Sequence, residues 1–132
     1  MKRISFNARF INPAGDGLFP GKIHTIRQNF DFWKKYEGQE VALYTWEGKA
    51  YRSKQKVFCV KRIVSIQEVH AYKDNGIIWF CIDGVFENYA RLAENDGFIN
   101  SDGLTDTGAF SDWFSTYKLA KMAILHFSDF RY

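Results

Sequence analysis

Six consecutive residues, Lys22-Ile23-His24-Thr25-Ile26-Arg27, carry an amine, an imidazole, a hydroxyl and a guanidinium. A threonine hydroxyl is a poor nucleophile at neutral pH and needs a base beside it. A lysine becomes that base when burial or nearby cations lower its pKa. His24, when charged, and Arg27 are such cations. In an extended strand alternate residues share a face. Ile23, Thr25 and Arg27 then point one way, and His24 and Ile26 the other. A bend after Pro20-Gly21 could bring the Lys22 amine over Thr25. The same residues also suit an ordinary basic, threonine-bearing edge strand, and spacing alone does not separate the two readings.

Other stretches could add to such a site. Tyr51-Arg52-Ser53-Lys54-Gln55-Lys56 follows Trp46 across the Gly48 turn. Cations that meet phosphates and rings that stack on bases suit single-stranded nucleic acid. Trp33-Lys34-Lys35-Tyr36 repeats that mixture, although Trp33 and Trp46 also fit a core. Glu94 and Asp96 follow a helix that ends near Ala93. Either could serve as acid or base if their loop folds over the basic strand.

Cys59 and Cys81 each sit inside an apolar run, which suggests reduced thiols and a cytoplasmic setting. There is no CxxC and no paired His/Cys spacing, so neither a metal nor a cofactor is expected. No apolar stretch is long enough for a membrane span. The N-terminal residues alternate like a strand and lack the apolar block of a signal peptide.

These groups must be positioned by a chain of 132 residues, a length that suits one domain spanning 1–132. The 4 Trp, 7 Tyr and 13 Phe supply ample apolar area for a core. The net charge of +3 hides a division. Residues 1–63 carry 13 Lys/Arg against 5 Asp/Glu, and residues 64–132 carry 5 against 10. A cationic face would attract phosphate-bearing partners.

Strands are expected over Ile4–Phe10, Ile23–Arg27, Val41–Trp46, Gln55–Ile66, Ile77–Ile82 and Met122–Phe127. Asp74-Asn75-Gly76 signals a hairpin. Asn29–Tyr36 reads as a short helix. Phe86, Tyr89, Ala90 and Ala93 form one helical stripe, and Phe110, Trp113, Phe114 and Tyr117 a second. Asn95–Gly108 reads as the loop between them. The class is α+β, with a small barrel-like sheet flanked by short helices.

Lys22-Ile23-His24-Thr25-Ile26-Arg27 resembles the K-x-x-T-x-R signature of ASCH domains, in the PUA-like superfamily. Trp33 and Gly38 before a strand agree with that family, as does Asp96-Gly97-Phe98 before an aromatic helix. So does the final strand. The resemblance covers most of the chain. It implies a small PUA-like β-barrel whose cleft binds RNA or a nucleotide- or nucleoside-type ligand. Lys22 and Arg27, with Arg52 and Lys54, would form a basic cleft beside His24, with Trp46 or Tyr51 stacking a base. Some family members remove the acetyl group from N4-acetylcytidine. Transferred here, Lys22 is the base, Thr25 the nucleophile and Asp96 the acid, with Glu94 as its competitor. The sequence departs from the family in having Pro20 two places before the Lys, where Gly is usual. Its acid is one methylene shorter than the family's Glu.

Overall fold

Period-two alternation dominates the chain, and sheets result. The computed structural model describes residues 1–115 and 121–132. Its strands are β1 (Lys2–Ser5), β2 (His24–Gln28), β3 (Glu40–Trp46), β4 (Gln55–Arg62), β5 (Ser65–Asp74), β6 (Ile77–Ile82), β7 (Val85–Phe86) and β8 (Lys121–His126). The helices are α1 (Phe30–Lys34), α2 (Tyr89–Asn95) and α3 (Thr107–Trp113), with a 3-10 turn at Ala8–Phe10. The class is α+β, mostly strands with a few short helices.

The strands form two sheets, ordered β1-β3-β4 and β2-β8-β5-β6-β7. β1 runs parallel to β3, and the other pairings are antiparallel. Among the described residues the sheets do not close into the expected barrel. The expected long strand is itself divided at Ile63-Val64. Ile63 N–H donates to Gln39 O beside the first sheet, and Val64 N–H donates to His126 O in the second. The chain therefore changes sheets there, and Gln55–Ile66 is divided between β4 and β5.

One hydrophobic core draws on both sheets. Phe6, just after β1, meets Phe58 of β4 edge-on at 6.2 Å. Phe80 of β6 lies 5.4 Å from Phe110 and 5.5 Å from Phe114, which seats α3 against the second sheet. Such ring pairs contribute beyond their buried area. Thr25 and Ile26 of β2 register with Leu125 and Ile124 of β8, all buried.

Two helical expectations shift. Phe86 lies in β7 and is exposed, so the first helix starts later and buries Leu92 and Ala93. Phe110 and Phe114 are buried as expected, whereas Tyr117 lies outside the described residues. The N-terminal strand ends at Ser5 and gives way to the 3-10 turn. Asn75 and Gly76 take φ of 50° and 79°, the two left-handed residues a tight hairpin needs between β5 and β6. Among the described residues, no helix is long and apolar enough to cross a membrane.

Candidate functional site

The site is built on a helix end. Phe98 N–H donates to Ala93 O and Gly97 N–H to Glu94 O, the paired bonds of a Schellman motif closing α2. Gly97 supplies the left-handed residue, with φ of +87°. A Cβ there would lie 2.8 Å from Lys22 Cβ, so the absent side chain is also what lets Lys22 approach. Ile23 N–H donates to Asn95 O and ties this helix end to the start of β2.

Asp96 is the residue so placed, and it is 3% exposed. Lys22 Nζ donates to its backbone oxygen at 2.6 Å and to Oδ1 at 3.2 Å. The cation therefore meets both a carboxylate and the negative end of a helix. Lys22 Nζ also lies 4.3 Å from the centroid of Phe10. Burial lowers the Lys22 pKa from its ordinary value; Asp96 opposes the shift, and Arg27 and Arg9 add to it.

Thr25 and Arg27 share a face of β2, as alternation requires. Arg27 Nε donates to Thr25 Oγ1 at 3.2 Å, and its terminal nitrogen donates to Ser5 O at 2.6 Å. The second bond fastens β2 to β1 of the other sheet. Lys22, Thr25, Arg27 and Asp96 all line one cleft of about 300 Å³. Trp46, Tyr51 and Trp113 line it too, with Phe6 and Phe10. Trp46 and Tyr51 lie 5.4 Å apart across the β3–β4 turn, and Tyr51 is 88% exposed.

The other expected residues lie elsewhere. Glu94 is exposed and does not line the cleft, because it sits two residues before the helix cap on another side of the last turn. Arg52 and Lys54 are exposed and also outside the lining, to which their turn contributes Ala50 and Tyr51 instead. His24 does not line the cleft. It is fully buried on the opposite face of β2, with Nδ1 3.2 Å from Asp96 Oδ1. It supports the carboxylate from behind.

Phe6, Phe10 and Trp113 of the lining were not singled out as site residues in the sequence. Trp113 carries a signal, its place in the second helical stripe, but that stripe reads equally as core. Tyr132, whose hydroxyl meets His24 Nε2 at 2.6 Å, carries no local signal.

Two valences in the cleft are open among the described residues. Lys22 Nζ, as an ammonium, has three donors and two protein acceptors. Asp96 Oδ1 is occupied, and no described donor reaches its second oxygen. A ligand bearing both a donor and an acceptor would satisfy them. Among the described residues, no cluster of His, Cys, Asp and Glu is arranged to hold a metal ion. Cys59 and Cys81 are free.

Comparison with known proteins adds no assignment: no family model, no curated protein and no solved structure matches the chain.

Proposed function

We propose that the chain is an ASCH-like, PUA-related module that binds a nucleotide- or nucleoside-type ligand in the Lys22–Asp96 cleft. The observation that carries this reading is the joint lining of one 300 Å³ cleft by Lys22, Thr25, Arg27 and Asp96 with Trp46 and Tyr51. That volume is at the lower end for small-molecule sites. A nucleobase offers ring edges with donors and acceptors for Asp96 and Lys22, and a face for Trp46 or Tyr51. A phosphate or sugar would meet Arg27. The K-x-x-T-x-R signature, with its nucleic-acid associations, supports the same class.

Titration of Trp fluorescence with cytidine 5′-monophosphate and with N4-acetylcytidine tests the reading. Saturable quenching is expected. Lys22→Met should weaken it about tenfold or more, the worth of a charge-assisted hydrogen bond. No saturable response to any nucleoside or nucleotide would overturn it.

A second reading, hydrolysis of an acylated nucleobase amine, is favoured by the convergence of Lys22, Thr25 and Asp96. Thr25 Oγ would attack the amide carbonyl as Lys22 takes its proton. Collapse would break the C–N bond, and that proton would pass to the departing amine directly or across Asp96. Water would then cleave the acyl-threonine ester, releasing acetate and restoring the hydroxyl. Acetate release from N4-acetylcytidine that disappears in Thr25→Ala and in Lys22→Ala is the expected result. Unchanged release in both variants removes these roles.

A further inference from the structure

Behind the cleft lies a polar cluster that neither reading uses: the buried His24, Gln67 and His126 with the partly buried Asn95 and Tyr132. Its hydrogen bonds have a readable direction. Gln67 fixes one end. Its Oε1 accepts from Tyr132 N–H at 2.9 Å, and its Nε2 donates to Tyr132 O at 3.1 Å and to Asp83 Oδ2 at 2.7 Å. A backbone N–H only donates and a carbonyl only accepts, so the amide cannot be flipped. His126 Nε2, 2.9 Å from Gln67 Oε1, must therefore be the donor. His126 is then the Nε2–H tautomer, and its buried Nδ1 has no partner among the described residues. Burial, chiefly, pushes its pKa down to about 3, so the ring is neutral.

His24 has the opposite assignment. Its Nδ1 faces the Asp96 carboxylate, which accepts, so Nδ1 carries hydrogen. Its Nε2 meets Tyr132 Oη at 2.6 Å, and Asn95 Nδ2 donates to that same oxygen at 3.1 Å. With Asn95 presenting Nδ2, a charged His24 would make the phenol accept from both sides and leave its own proton with no acceptor among the described residues. With His24 neutral, every proton has a place: Asn95 to Tyr132, Tyr132 to His24 Nε2, and His24 Nδ1–H to Asp96. Full burial of His24 favours the same neutral form, against the pull of Asp96.

We propose that Tyr132 is a positioning residue for the cleft. Through a directed chain with Asn95, it fixes His24 as the Nδ1–H tautomer and thereby holds Asp96 Oδ1 against Lys22. The backbone and amide bonds to Gln67 clamp Tyr132 itself, and its ring packs 4.9 Å from Phe130 and 5.5 Å from His24. The positioning role rests on the cleft reading above, whereas the tautomer assignment does not.

Long-range 1H–15N NMR of the imidazoles separates the two. At pH 7 the wild-type protein should show two neutral rings of opposite tautomer, His24 protonated at Nδ1 and His126 at Nε2. In Tyr132→Phe the His24 Nε2 resonance should move downfield as it loses its donor, with His126 little changed. Nucleoside affinity, read by Trp fluorescence, should fall about tenfold in Tyr132→Phe. It should fall less in His24→Asn, which keeps a donor toward Asp96, than in His24→Leu. An imidazolium or Nε2–H form of His24 in the wild type overturns the chain whether or not any variant folds. A His24 spectrum unmoved by Tyr132→Phe overturns it as well. The predicted tautomers with no nucleoside binding by the wild type would reject the cleft reading and, with it, the positioning role. The predicted tautomers with normal affinity in Tyr132→Phe would reject the positioning role alone.

Discussion

Asp96 Oδ1 holds two partners at once, and both are buried. Lys22 and His24 each lie 3.2 Å from it. Breaking a buried ion pair leaves one charge without compensation, at a cost of about 3–5 kcal/mol. Asp96→Ala should therefore destabilise the fold by about that amount in urea unfolding. Adding Lys22→Met should recover part of the loss, because the stranded cation is gone. A double variant less stable than Asp96→Ala would contradict the pairing. At this scale the sequence was informative where chemistry is local. Lys22, Thr25 and Arg27 fall within six residues, and strand alternation correctly sends His24 away from the Thr25–Arg27 face. The choice of Asp96 over Glu94 needed the helix end, which turns one inward and leaves the other exposed. Tyr132 was beyond local reasoning, because its partner His24 is 108 positions away in the chain.

The α2 cap and the β5–β6 hairpin each depend on a left-handed glycine, but in different surroundings. Around Gly76 nothing lies within 4 Å of an added Cβ. Gly76→Ala should therefore cost only backbone strain, about 1–2 kcal/mol. Gly97→Ala adds a collision with Lys22 and should cost about 2–4 kcal/mol. It should also weaken ligand binding, which Gly76→Ala should not. Equal stability losses and unchanged binding in Gly97→Ala would contradict the close approach at the helix cap. The Asn75-Gly76 turn was legible because its residue types serve a single backbone geometry. The start of α2 was not, since Phe86 fits a helical stripe but pairs with Cys81 in the sheet.

Across the whole molecule, the two buried histidines link stability to pH. Both are held neutral in the fold, His24 by burial against the attraction of Asp96 and with the repulsion of Lys22. His126 is lowered to about 3, chiefly by burial. Unfolded histidines titrate near 6.5, so below that pH the unfolded chain binds more protons than the folded one. Stability should be unaffected by these groups above about pH 7. It should fall as pH drops below about 6.5, by roughly 1.4 kcal/mol per pH unit for His126 down to about 3, with His24 acting in the same direction. His126→Gln should flatten this slope in thermal scans, and an unchanged slope would count against a neutral His126.

The overall charge pattern predicts a different division. Arg52 and Lys54 lie outside the cleft, so Arg52→Ala/Lys54→Ala should leave mononucleotide affinity within about twofold and chiefly reduce salt-sensitive attraction of longer strands. The split between a basic first half and an acidic second half was legible in the sequence. Lys22 of the first half meets Asp96 of the second. The division into two sheets was not legible, because the change of sheet at Ile63-Val64 comes with no Gly, Pro or turn cluster to mark it.

Backbone amide shift mapping with cytidine 5′-monophosphate reads occupancy of the cleft residue by residue. Saturable shifts centred on Lys22, Thr25, Arg27, Trp46, Tyr51 and Asp96, lost in Lys22→Met, are expected. Absence of saturable shifts at these residues up to roughly 10 mM ligand, or shifts confined to Arg52 and Lys54, would contradict binding in the cleft.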